Sequence, residues 1–282
     1  MTVTTSPSDL QITPRDLRID REATTPRWWM GGDPVGTAVM NALSLTFPDG
    51  ERFFIQAVRR YEADCPADLR AQVRAFVAQE GAHTREHIAF NDLTRRSGYD
   101  VTEAEAFVER RMNIARGRPH LAQLAGTVAL EHFTAVFAHA LLVRTELLAD
   151  APPELAKLWR WHSIEEIEHK AVAYDVFMHA IRDLSPMQRW AFRRRAMIMT
   201  TLLFTRTVRR TARMLLKQDG ISGLNARWKL FQWLWLKPGL YRLITRGYLA
   251  FYRPGFHPWQ SDERNLIAAA ESELALHRPL AA

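Results

Sequence analysis

Two segments of the chain repeat one arrangement, and each follows a lone glutamate. Glu80-Gly81-Ala82-His83 lies in one long helical pattern and Glu166-Ile167-Glu168-His169 in another; Glu51 precedes the first by 29 residues and Glu131 precedes the second by 35. Residues three apart on an α-helix share a face, so each Glu-x-x-His pair can reach one cation. Two such pairs plus two single glutamates form a donor set for two metal ions enclosed by four helices. The pattern requires a fold that brings Glu51, Glu80, His83, Glu131, Glu166 and His169 to one point, with the ions about 3.5–4 Å apart.

The helices can be read from hydrophobic spacing. Leu69, Val73, Phe76, Val77, Glu80, His83, His87 and Phe90 step by three or four, as do Leu155, Leu158, His162, Glu166, His169, Ala173 and Val176. Both stripes begin apolar and become rich in metal donors. Glu131 sits in the apolar run Thr127 to Phe133, and a buried carboxylate is costly unless paired or bound to metal. A structural glutamate paired with an arginine is the ordinary alternative; six donors in matching order weigh against it. The expected elements are a short helix over 34–45, a turn at Phe47-Pro48-Asp49-Gly50, and helices over 51–63, 66–97, 102–116, 120–149 and 152–183. Nothing up to this point alternates like a strand, so the chain reads as all-α: a four-helix bundle over 34–183, a poorly ordered arm over 1–33 pinned by Trp28 and Trp29, and a helical extension over 184–282 packed on the bundle.

Composition narrows the classes. One cysteine, Cys65, excludes an internal disulfide and a thiolate metal site and fits a reducing cytosol. The polar N-terminal segment lacks the pattern of a signal peptide, and no apolar run reaches the length of a spanning helix. A cytoplasmic location follows as the expectation. The net charge of +7 is uneven: residues 182–254 hold 16 Lys or Arg and two acids, which leaves −7 for the rest. Arginines there interleave with Trp, Phe, Leu and Tyr. Packing of apolar helix faces on the bundle would explain this, and so would an anionic membrane surface on the inner membrane face, where basic helices with boundary tryptophans lie. Nucleic acid is disfavoured, because Phe231 to Leu236 is too apolar to track phosphates.

Carboxylates bridge and charge-balance two cations while imidazoles complete each coordination sphere. Glu51 and Glu131 are the single carboxylates, Glu80 and Glu166 the bridging candidates, and His83 and His169 bind one metal each. This pattern resembles the ferritin-like di-iron carboxylate proteins over about residues 45–183. Phe47-Pro48-x-Gly50-Glu51-x-Phe53-Phe54, Gln79-Glu80-x-x-His83-x-x-x-His87-x-x-x-Asn91, Trp161-His162-x-x-Glu165-Glu166-x-Glu168-His169-Lys170 and Phe256-His257-Pro258-Trp259 are similar to a bacterial family called predicted metal-dependent hydrolases.

The expected cofactor is a pair of metal ions, iron in first place, with zinc or manganese as alternatives. The favoured function is a di-iron oxidoreductase that activates O₂ on a small apolar or lipid-like substrate. The first alternative is a metal-dependent hydrolase that uses metal-activated water, and a non-catalytic iron-binding protein is the second. A hydrolase could also use His83-Thr84-Arg85-Glu86-His87 as an inverted zinc-peptidase motif, with Glu86 as general base; that arrangement leaves Glu131 and the second Glu-x-x-His pair without a role. His87 and His162 exceed the six-residue set and are either outer hydrogen-bond partners or an extra ligand. Asn91 and Glu165 belong to the outer surroundings. Self-association as a homodimer stays open.

Overall fold

The computed structural model describes residues 5–274. The outer ends of the expected arm and extension, residues 1–4 and 275–282, lie outside them. Among the described residues the regular structure is helical and no strand forms. The helices are α1 (Pro34–Glu62), α2 (Ala67–Arg96), α3 (Thr102–Arg116), α4 (His120–Val143), α5 (Pro153–His169), α6 (Val172–Ala180), α7 (Pro186–Gln218), α8 (Gly223–Phe231), α9 (Leu240–Ala250) and α10 (Arg264–Leu274). Helix α1 packs on α2, and α4 packs on α5. The four-residue link over 63–66 makes α1 and α2 an antiparallel hairpin. Helix α7 lies on α1 and α4, α9 on α4, and α10 on α5.

Helix α1 corrects the expected turn at Pro48. Asp33 caps it, accepting from the Val35 amide at 2.8 Å, and Pro34 fills the first helical position. The helix then runs unbroken through Pro48. An internal proline removes one helical hydrogen bond and usually breaks the helix. Here the Ser44 carbonyl, which that bond would have used, accepts from Asn91 Nδ2 on α2 at 3.4 Å. A tertiary contact thus replaces part of what the backbone lost. The opposite correction applies after His169: the expected helix over 152–183 divides into α5 and α6 at Lys170 and Ala171. No proline or glycine marks that break. Buried Lys170 reaches the Ser261 carbonyl and Glu263 there.

Two further expectations change. Helix α4 is long and apolar enough to cross a membrane by length and composition alone. In this fold it is a mostly buried helix with Glu131 on its inner side. The N-terminal arm is also more than a loose strap held by tryptophans. Trp29 is buried and donates to Asn41 at 2.8 Å, whereas Trp28 is exposed. From Arg15 to Asp20 the arm is extended, with Arg15, Leu17 and Ile19 buried and Asp16, Arg18 and Asp20 exposed. This period-two alternation is what a half-buried extended segment shows.

Candidate metal centre

Helices α1, α2, α4 and α5 bring Glu51, Glu80, His83, Glu131, Glu166 and His169 together, none more than 3% exposed. His169 Nε2 lies 3.1 Å from Glu80, 3.4 Å from Glu131 and 3.5 Å from Glu166. His83 Nδ1 lies 3.9 Å from Glu80 and 3.8 Å from Glu166. Glu80 and Glu166 therefore stand between the two imidazoles. The donor atoms fall into compact groups within 4.8 Å, among them Glu51 with Glu80 and His83, and Glu80 with Glu131 and His169.

These approaches do not meet hydrogen-bond geometry. Both oxygens of Glu51, Glu80 and Glu131, one of Glu166, His83 Nδ1 and His169 Nε2 are buried without a hydrogen-bond partner. Buried polar atoms are nearly always paired, so such a concentration of orphans in one place fits cations as the missing partners. Carboxylate oxygen and imidazole nitrogen are suitable donors for them.

The outer atoms of the two histidines are held firmly. His83 Nε2 pairs with Glu165 Oε2 at 3.0 Å and His169 Nδ1 with Gln79 Oε1 at 2.9 Å. With a cation bound, each ring would donate outward and turn its lone pair inward, which is how an outer partner orients an imidazole ligand. Both partners are tied to the arm. The Arg15 amide donates to Glu165 at 2.9 Å, and its guanidinium reaches Glu168 at 2.5 Å. Glu168 in turn accepts from Gln79 at 2.7 Å and from the Thr13 amide at 3.1 Å. Gln79 and Glu168 entered the sequence reading only through the family-like motifs and Arg15 not at all; the alternation of polar and apolar residues over 16–20 is the signal that could have shown which side of the arm faces inward.

His87 and His162 sit one layer further along α2 and α5. His87 Nε2 lies 2.7 Å from His162 Nδ1, and His162 Nε2 lies 2.8 Å from Glu166. Asn91 contacts Ser44 and not the carboxylates. Glu86 is turned to the arm, accepting from the Ile19 amide at 3.0 Å and pairing with Arg85 and Arg21. That orientation gives no support to the one-metal peptidase arrangement.

Electrostatics show what the cluster lacks. Burial, reinforced by the Glu80 charge, pushes Glu51 and Glu131 well above the usual carboxylate range. Burial also raises Glu80, with His169 opposing it. Glu166 is held well below the usual range: burial raises it, but His169 and His162 outweigh that. His169 moves the other way, pulled down by burial yet held well above its usual value by Glu166, Glu80 and Glu131. His83 and His87 are pushed well below theirs by burial. Without metal the cluster would balance its acids with protons.

The fold and these donors define an all-α protein with a buried carboxylate–imidazole centre. The family described as "Predicted metal-dependent hydrolase" matches residues 13–262, and the chain belongs to it. No curated protein and no solved structure matches the chain. Family membership overturns the O₂-activating di-iron oxidoreductase, and O₂ as a co-substrate, in favour of the hydrolase alternative. The misreading has a physical origin: carboxylates and imidazoles suit zinc, manganese and iron alike, so the donor set does not select redox over hydrolytic chemistry.

Proposed function

We propose that the chain is a hydrolase in which Glu51, Glu80, His83, Glu131, Glu166 and His169 hold two divalent ions. The cluster of buried, unpartnered donors supports this reading most directly. Four carboxylates would balance the charge of two dications, and Glu80 and Glu166 lie between the His83 and His169 imidazoles. Bound there, zinc, manganese or iron(II) would supply Lewis acidity and lower the pKa of water toward neutrality. The chain's own residues orient the donors, exclude bulk water and hold protons outward. Glu165 and Gln79 keep the His83 and His169 lone pairs turned inward.

An apolar substrate is supported by a cavity of about 50 Å³ lined by Val39, Leu43, Phe47, Phe137, Phe204 and Ile244 among others. Val39, Leu43, Phe47 and Glu51 follow one another at intervals of four along α1, so cavity and centre share a helix face. Thr134 also lines the cavity, and its hydroxyl donates to the Glu131 carbonyl at 3.0 Å. A cavity with this lining would accept a small acyl or alkyl group.

Chelation followed by reloading with zinc, manganese or iron(II) separately, with carboxylic and phosphoric esters of increasing chain length as substrates, tests the proposal. Hydrolysis should return with metal, favour apolar chains, and disappear in Glu80→Ala. A protein fully loaded with metal that hydrolyses no ester, amide or lactone would refute it.

A further inference from the structure

A line of hydrogen bonds runs from the backbone of α1 to Glu166, and its direction is fixed at the far end. Pro48 has no amide hydrogen, so the Ser44 carbonyl lacks its helical donor. Asn91 Nδ2 takes that place at 3.4 Å, which turns Asn91 Oδ1 toward Ser44 Oγ at 2.8 Å. An amide oxygen only accepts, so the single Ser44 hydroxyl hydrogen is committed to Asn91. Ser44 Oγ also lies 2.8 Å from His87 Nδ1. There the hydroxyl must accept, and the His87 hydrogen sits on Nδ1.

His87 Nε2 is then the bare nitrogen of a neutral ring, and His162 Nδ1, 2.7 Å away, donates to it. The remaining nitrogen, His162 Nε2, keeps its lone pair and lies 2.8 Å from Glu166 Oε1. A lone pair facing a carboxylate oxygen in a dry interior is repulsive unless a cation lies between them. The surroundings are dry: the rings of Phe47 and Trp159 lie 4.7 and 5.3 Å from His87, and Phe47 lies 5.1 Å from His162.

We infer that His162 Nε2 is a metal ligand, on the ion that His83 and Glu166 also hold, and that His87 is the positioning residue that fixes its tautomer. The inference rests on the dimetal centre proposed above. His83 and His162 are stacked, with ring centroids 4.1 Å apart, and with Glu166 they form a group of donor atoms within 4.8 Å. The centre is therefore asymmetric, with two imidazoles on one ion and one on the other.

Proton NMR of the full chain loaded with cobalt(II) tests this directly. Each coordinated imidazole contributes one exchangeable, metal-shifted N–H signal. Three are expected in the wild type, from His83, His162 and His169, and two in His162→Gln. Ser44→Ala removes the His87 acceptor and should weaken cobalt binding by about 10–100-fold, as loss of an outer partner does. Two signals in the wild type would overturn the inference alone and would mean that His162 is an imidazolium donating to Glu166. Unchanged cobalt affinity in Ser44→Ala would overturn the tautomer relay. If His162→Gln does not fold, the wild-type count still decides. A wild-type protein that takes up no cobalt would overturn the dimetal centre and this inference together.

Discussion

The centre between α1, α2, α4 and α5 and the C-terminal helices handle charge in opposite ways. In the centre, Glu51, Glu80, Glu131 and Glu166 are buried with scarcely any cationic side chain among them. On α7, Arg194, Arg195, Arg206, Arg209 and Arg210 are exposed, and so are the apolar Ile198, Met199, Leu202 and Leu203. Arg193 is the exception: it is buried beneath Phe251 and Phe256, and its guanidinium donates to the Phe251 and Arg253 carbonyls. Inside, charge sits where the fold alone would not put it, which marks function. Outside, charge is inexpensive, and its pattern concerns contacts with other surfaces.

The sharpest way to break this comparison is to remove one inner carboxylate. Glu80→Ala should lower metal affinity by at least about 100-fold, beyond the loss expected from an outer partner. Elemental analysis after dialysis would show it. Retention of both ions by Glu80→Ala would sink the proposed centre.

The pH dependence of the metal-free wild type has a definite sign. Glu51 and Glu131, raised above the ordinary 4.5 by burial and by Glu80, keep their protons in the folded state after the unfolded chain has lost them. Their contribution is complete below 4.5 and is lost as pH rises toward their folded values. Glu166 acts oppositely, but only in acid, because its folded value lies well below 4.5. His83 and His87, held well below 6.5 by burial, also act oppositely until the unfolded imidazoles are neutral, so thermal midpoints of the metal-free protein should fall from about pH 7 upward. Metal affinity should climb over the same range as protons are displaced. A flat profile would contradict the assignment.

Arg15→Ala comes next in size. It strands Glu165 and Glu168 in the interior, and breaking a buried ion pair costs about 3–5 kcal/mol. Denaturant midpoints would measure it. Glu86→Gln should cost less, about 1–3 kcal/mol for the weakened hold on Ile19, Arg21 and Arg85, and leave the metal content unchanged. Loss of activity in Glu86→Gln with stability and metal intact would revive the peptidase arrangement.

The sequence shows much of this architecture where its signals are periodic. The stripes around Glu80 and Glu166, the polar helix Thr102–Arg116 and the break at Pro238-Gly239 all appear in the structure. Local rules failed where a distant partner decided the outcome. Pro48 signals a stop, yet Asn91 lies 43 residues later and supplies a donor to the freed carbonyl. The division after His169 has no local breaker residue at all. Arg15 lies far in sequence from Glu165 and Glu168, and nothing but the alternation of the arm hints at their meeting. The convergence of Glu51, Glu80, His83, Glu131, Glu166 and His169 was readable because their helical spacing is their geometry. The outer layer depends on which elements pack together, and spacing within one element does not encode that.

The smallest expected effects belong to the outer arginines, and they sharpen the comparison from the other side. We propose that the exposed face of α7 lies on anionic membrane and brings the chain to an apolar substrate there. Ile198, Met199, Leu202 and Leu203 form an exposed stripe with Arg194 and Arg195 before it and Arg206 and Arg209 after it. Replacing Arg194, Arg195 and Arg206 together by Gln should change folding stability by no more than about 0.5 kcal/mol per site. The same change should weaken binding to phosphatidylserine vesicles by about 1 kcal/mol per arginine. Sedimentation with such vesicles at low salt reads this effect, and neutral vesicles serve as the control. Binding should also fall steeply as salt shortens the screening length. Equal sedimentation of wild type and triple variant, or none for either, would leave α7 as an ordinary solvated helix, with the proposal for the buried carboxylates unaffected.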